Sequence, residues 1–468
     1  MLGGRSPWAI LGFVEFHCGN YGRLEKINPW ARPGQGMPAA RLPRIQSMVM
    51  NISGRHHRRH PTGNRNMDRL PTRRLLLSSS AGMLAATATA AKANMGLPEA
   101  SPEDIGIHPR RLARAHDLLE QWTKGPDAPM PGAALAVGRF GKALKPRLFG
   151  RQGPEPDAEP IRPDAMFYMA SVTKPVIYSC GMMLVERGQL NLSDPVSRYL
   201  PEYSGKNKDE ARVLHLFTHA SGLADELPDN TELRKAHAPL SVFVDKALKS
   251  PASFAPGTSQ SYSSLATILT AEIVRRISGM PIDEFVRKEF VDPLGLKSTG
   301  LGSRGFDRAR IVRCTLPEYQ KGGDFGWNSR YWQEFGSPTG GLFSTPADFG
   351  VVCGMMLAGG LSGGMRLLSA ATVRMMTTNR LDDMPEMPEP IRRTKPWGLG
   401  WRLNHLGQSD SWGDLIGREV YGHTGSSGNV VWMNPATQGF CIIFSNYLRS
   451  RAPWRLVHIS NIVASAFE

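Results

Sequence analysis

Ser171-Val172-Thr173-Lys174 places a serine three residues before a lysine. A serine hydroxyl is a poor nucleophile at neutral pH unless a neighbouring base takes its proton. On a helix, residues i and i+3 share a face, so Ser171 Oγ and Lys174 Nζ can meet. At a helix N-terminus the free N–H groups and the dipole favour negative charge, which helps an oxyanion and disfavours a protonated lysine. Pro175 follows directly, and proline is tolerated only in a first helical turn, so Ser171 is expected at a helix start. Alone, the tetrapeptide is weak, because a surface serine and lysine give the same text.

Two further stretches have chemical content. Tyr262-Ser263-Ser264 follows Pro256-Gly257-Thr258. A phenol crowded by cations can be held as phenolate and pass protons, although a tyrosine beside a serine is more often a packed ring. His423-Thr424-Gly425 leads into an apolar run. A strand edge of small residues lets a substrate carbonyl lie against backbone N–H groups, and the bland alternative is a turn.

Elements must hold these stretches in place. Arg110–Trp122 carries apolar residues at helical spacing, and Gly132–Val137 is a short apolar run that reads as a strand. Val176–Gly188 and Leu265–Ser278 read as apolar helices, with Gly188 closing the first and Gly279 following the second. Gly428–Met433 and Phe440–Ser445 flank Asn434-Pro435 as a hairpin, and a last helix is expected over Arg455–Ala466. One strand comes early, helices fill the middle and strands return late. That order implies an α/β unit whose sheet closes with its first and last segments around a helical insertion.

Composition bounds the rest. The 468 residues are 21% charged and 41% hydrophobic, with 49 Gly and 36 Pro, which is ordinary globular usage and excludes a collagen-like or coiled-coil chain. No apolar run approaches the roughly 20 residues of a spanning helix. The 5 Cys form no CxxC pattern. The net charge of +15 sits mostly before residue 94, so a nucleic-acid partner is not indicated. Residues 1–66 are rich in Arg, Gly, Pro and His without periodicity, and are expected to be disordered or to lie upstream of the true start. His56, His57 and His60 lie among arginines, which oppose a metal. Residues 67–93 contain Thr72-Arg73-Arg74-Leu75-Leu76-Leu77, a weakly apolar Leu/Ala/Ser/Thr segment, and Ala91-Lys92-Ala93. This pattern reads as a twin-arginine export signal cleaved after Ala93, giving a periplasmic or secreted protein of residues 94–468.

In chain order, S-x-x-K, then Y-x-S, then H-T-G resembles the serine β-lactamase and penicillin-binding-protein superfamily. The intervening text is similar to its class C branch and the related family VIII esterases: Leu184–Leu190, Asp194–Pro201, His215–Leu223, Phe254–Gly257, Pro293–Leu296, Gly340–Thr345 and Met375–Asn379. The resemblance covers residues 97–468. It implies an antiparallel sheet flanked by helices plus a mostly helical lobe. It also implies an exported serine hydrolase acting through an acyl-enzyme on an ester, a β-lactam or a D-amino-acid amide. Ser171 would be the nucleophile. Lys174 and Tyr262 would share base and acid duty, and the N–H groups of Ser171 and Ser426 would form the oxyanion hole. His423, Thr424 and Gly425 would line the substrate site together with Ser264. No metal or cofactor is implied, and the only protein partner expected is the twin-arginine export machinery.

Two departures shift the expected substrate. His423 stands where many members have a carboxylate-holding lysine, and a mostly neutral histidine is a weaker anion hook. Ser264 stands where many have asparagine. Esterase-type activity is therefore favoured over β-lactam hydrolysis. The alternatives are a DD-peptidase or D-aminopeptidase on peptidoglycan peptides, and a non-catalytic cell-wall-binding relative. Gly300–Gly305 matches G-x-G-x-x-G but follows a Pro/Gly loop, so no dinucleotide site is expected. His215 and His219, near Asp225 and Glu226, are expected to be structural, with His219 fixing a loop.

Overall fold

The computed structural model describes residues 96–125, 128–404 and 412–468. The twin-arginine pattern, the position after Ala93, the His56/His57/His60 group and Cys18 lie outside the described residues.

Twelve strands are described: β1 (Gly132–Arg139), β2 (Lys142–Ala143), β3 (Arg147–Gly150), β4 (Phe167–Tyr168), β5 (Gly300–Leu301), β6 (Leu342–Ser344), β7 (Leu361–Ser362), β8 (Met365–Arg366), β9 (Arg402–Leu403), β10 (Tyr421–Gly425), β11 (Asn429–Asn434) and β12 (Gly439–Ser445). The main sheet runs β2-β1-β12-β11-β10-β9, with β3 also on β1, and every pairing in it is antiparallel. β1 and β12 pair from Ala133 opposite Ser445 to Arg139 opposite Gly439. The first and last strands of the body therefore close the sheet, as their apolar runs imply. β11 and β12 form the expected hairpin, with Asn434 opposite Gly439.

These strands are apolar without interruption because both faces are covered. Side chains alternate across a strand. Ala134, Ala136, Val431, Met433, Ile442 and Phe444 face the helical lobe. Leu135, Val137, Val430, Trp432 and Ile443 pack in a second cluster with residues of the Pro109–Thr123 and Pro453–Ala466 helices. Full burial of each such aliphatic side chain contributes about 1.5–3 kcal/mol, so the sheet is a rigid floor.

The helical lobe is centred on two helices, Lys174–Glu186 and Ser264–Ser278. Both are buried along most of their length, so neither has a polar face. Gly181 lets the first of them sit close to the short helix Val213–Phe217: an added Cβ would stand 2.6 Å from the Phe217 ring. Ser263 caps the second helix, its hydroxyl accepting from Ala266 N, and Gly279 ends it at φ 72°. A small sheet, β4-β6-β5, joins the lobe to the floor. The G-x-G-x-x-G text begins in β5 of that sheet. Cys180, Cys314, Cys353 and Cys441 are free and buried.

Candidate active site

Ser171 lies in a 3-10 turn, Ala170–Thr173, that runs into the helix Lys174–Glu186, with Pro175 in its first turn. The turn is pinned on two sides. Asn429 Nδ2 and Ser427 Oγ both donate to the Tyr168 carbonyl, at 2.8 and 3.0 Å. On the other side, Leu342 N donates to Thr173 Oγ1 at 3.0 Å and Met169 N to the Leu342 carbonyl at 2.9 Å. Ala170 takes φ 46°, a left-handed conformation unusual for alanine, immediately before the serine.

Lys174 is 1% exposed. Its Nζ donates to Ser171 Oγ at 3.1 Å and to the Thr339 carbonyl at 2.9 Å, and lies 4.9 Å from the centre of the Tyr262 ring. Burial lowers its pKa to about 8, a shift opposed by the carboxylates of Asp225 and Glu226. A useful fraction of the amine is therefore neutral near physiological pH and can accept the serine proton.

Tyr262 enters from the loop before the second core helix. His219 holds that loop: its Nδ1 accepts from Ser263 N at 3.2 Å and its carbonyl from Ser261 N at 3.0 Å. His219 is fully buried and takes φ 57°. The Tyr262 hydroxyl is buried, with Ser171 close enough to favour a phenolate but no closed hydrogen bond among the described residues. Burial dominates and raises its pKa well above 10. The phenolate reading is thus corrected: removal from water outweighs the nearby cations, and Tyr262 is a neutral phenol.

β10 brings the third motif alongside. β9 pairs only with Tyr421 and Gly422, so the edge of His423–Gly425 faces the cavity side without a strand partner there among the described residues. Gly425 sits behind the cavity and allows a close approach: a Cβ there would stand 2.6 Å from the Met169 carbonyl. His423 is 3% exposed. Burial, with Lys174, Arg402 and Arg449 nearby, lowers its pKa to about 3. It carries no charge at neutral or mildly acidic pH, so acidification does not turn it into an anion hook. Ser264 Oγ donates to Asp225 Oδ1 at 2.6 Å, which ties the hydroxyl to the cavity wall.

A cavity of about 620 Å³ is lined by Ser171, Lys174, Tyr262, Ser264, His423, Thr424 and Ser426. Residues without a motif also line it: Asp225, Glu226, Trp397, Arg402 and Arg449. The Trp397 ring lies 4.7 Å from His219, 5.8 Å from Tyr262 and 5.9 Å from His423. Sequence spacing does not reveal their place here, because Asp225 and Glu226 share one loop while Trp397, Arg402 and Arg449 reach the cavity from distant parts of the chain. The Thr339 carbonyl has no side-chain signal at all. His215 Nδ1 accepts from Arg212 N at 3.1 Å, which gives that histidine a local capping task.

A family model described as Beta-lactamase matches residues 118–458. A Salmonella schwarzengrund protein, provisionally named a D-alanyl-D-alanine carboxypeptidase, is 27% identical over 385 residues, covering 75% of this chain and 86% of the relative. Among solved structures, a penicillin-binding-protein homologue from Caulobacter crescentus aligns with TM-score 0.60 and 20% identity, covering 76% of this chain and 99% of that one. The hydrolase EstCE1, described as having promiscuous acyltransferase activity, aligns with TM-score 0.61 and 18% identity over the same shares. A D-amino acid amidase from Ochrobactrum anthropi SV3 aligns with TM-score 0.58 and 20% identity, again over 76% and 99%. At these identities the structural likenesses establish the fold.

Proposed function

The chain belongs to the Beta-lactamase family, and from that premise we propose that it is an exported serine hydrolase of the class C type, acting through an acyl-enzyme. The observation that carries this reading is the buried Lys174 amine 3.1 Å from Ser171 Oγ, with its pKa lowered to about 8. Lys174 takes the proton as Ser171 Oγ bonds to the acyl carbon. The N–H groups of Ser171 and Ser426 receive the developing oxyanion. As the tetrahedral intermediate collapses, the leaving atom takes a proton from the neutral Tyr262 phenol, and Tyr262 recovers one from Lys174. Water then adds to the acyl carbon, gives its proton to Lys174, and releases the acid as Ser171 is reprotonated. His423, Thr424 and Gly425 form the strand edge beside the acyl group. Retention of Ser171, Lys174 and Tyr262 around one cavity argues against a purely binding role.

Short acyl esters are the favoured substrates. The uncharged His423 supplies no cation for a carboxylate, and the Ser264 hydroxyl is engaged with Asp225. One observation favours a second reading, a DD-peptidase or D-aminopeptidase: Arg402 and Arg449 line the same cavity and can hold a peptide carboxylate. Activity on p-nitrophenyl butyrate, nitrocefin and D-alanyl peptides separates the readings. Ser171→Ala is expected to lower turnover of each accepted substrate by about a thousandfold or more and to abolish fluorophosphonate labelling. Stoichiometric labelling of another serine would refute the assignment. Export through the twin-arginine route, with cleavage after Ala93, completes the proposal.

A further inference from the structure

We infer that His423 recognises a hydrogen-bond donor on the substrate, an amide N–H or a hydroxyl, and that this sets specificity in the cavity of the serine hydrolase proposed above. The argument begins with which ring nitrogen carries the hydrogen. His423 Nδ1 lies 2.8 Å from the Thr424 carbonyl oxygen. A carbonyl can only accept, so Nδ1 carries the hydrogen. The ring is neutral and has only one N–H, because it is buried and faces the cations Lys174, Arg402 and Arg449, with the neutral Tyr262 and His219 rings beside it. Nε2 is therefore a bare acceptor.

That acceptor is buried and has no partner among the described residues, while His423 itself lines the cavity that contains Ser171. Two donors stand close by ring contact, the Tyr262 hydroxyl and the Trp397 indole N–H, with ring centres 6.0 and 5.9 Å from His423. Both also line the cavity, and both are likewise buried and unpartnered among the described residues. None of the three satisfies another. Buried polar groups are normally paired, so an unpaired acceptor on a residue that lines the cavity marks a place for the donor of a bound molecule. A lysine at position 423 would present hydrogens and select an acceptor; this histidine presents a lone pair and selects a donor. A carboxylate oxygen placed against Nε2 would meet lone pair with lone pair. An anionic substrate would therefore be held by the cations of Arg402 and Arg449 and not by His423 Nε2.

The test uses p-nitrophenyl esters of N-acetylglycine, 4-oxopentanoic acid and acetoxyacetic acid, whose acyl groups differ only in N–H, CH2 or O at one position. The preference of the unmodified protein for N–H over CH2, relative to His423→Leu, is expected to be about three- to tenfold in kcat/KM, the worth of one neutral hydrogen bond. Comparing the same esters between variants cancels their intrinsic reactivity. The O ester should gain from His423→Leu, and His423→Gln, whose amide oxygen can accept, should restore part of the N–H preference. An N–H to CH2 ratio that His423→Leu leaves unchanged would overturn the inference. A second readout does not depend on turnover: 15N NMR of histidine-labelled protein should show His423 protonated at Nδ1 and bare at Nε2 from about pH 8 to about pH 5. A hydrogen on Nε2 would equally overturn it. Ser171→Ala separates the two levels of argument. If that variant still hydrolyses the three esters, the hydrolase reading fails; if it is inactive while the ratios ignore His423, only the present inference fails.

Discussion

In the proposed mechanism Lys174 must lose a proton before it can accept one, so its pKa should set the pH dependence of acylation. That mechanism requires the neutral amine. On the acid side kcat/KM should therefore rise with pH and level off above about 8, the value to which burial lowers Lys174. Asp225 and Glu226 oppose that lowering by stabilising the charged amine. Asp225→Asn removes one of these charges while keeping an oxygen for Ser264. The ascending limb should then move to lower pH, and Glu226→Gln should move it the same way. A limb that stays in place, or moves to higher pH, in a pH–rate profile would show that Lys174 is not the titrating base. His423 adds no second limb in this range, since its own pKa lies at about 3.

At the scale of elements, the proposed reaction depends on how closely β10 approaches the 3-10 turn. Gly425 makes that contact possible, because a Cβ would stand 2.6 Å from the Met169 carbonyl and 3.3 Å from Ala170 Cβ. The obstructing atom is backbone, which cannot swing aside as a side chain can. Gly425→Ala should cost about 1–3 kcal/mol of stability through overpacking. It should also lower kcat by about tenfold to a hundredfold, because β10 and Ser171 move apart. Thermal unfolding and kinetics measured on the same sample check both parts. An alanine variant with unchanged kcat would mean that the strand edge does not position the reaction.

For the whole molecule, export is the open test. Arg73→Lys combined with Arg74→Lys should keep the protein in the cytoplasm and leave it unprocessed, because the translocon reads the arginine pair as an address. Cell fractionation and N-terminal sequencing check this, with Asn94 expected as the first residue of the mature protein. Normal export of the double variant would refute a twin-arginine requirement.

The apolar runs of β1, β11 and β12, and the helices after Lys174 and Ser264, were legible in the sequence. Their patterns record burial on one face, both faces or all round, and burial is what the sheet and the core helices impose. Ser171, Lys174, Tyr262 and His423 were legible as residue types in an order. Their protonation states were not. Local sequence allows a phenolate at Tyr262 and a partly charged, weak anion hook at His423. Both change once the side chains are counted as buried, because desolvation acts through every neighbour in space and leaves no mark on local sequence. For the same reason Trp397, Arg402, Arg449 and the Thr339 carbonyl belong to the cavity only by tertiary placement. The sequence determined which candidate groups are present and which segments carry them. The fold decided which of those groups are charged, which are paired, and which lone pair is buried without a partner among the described residues.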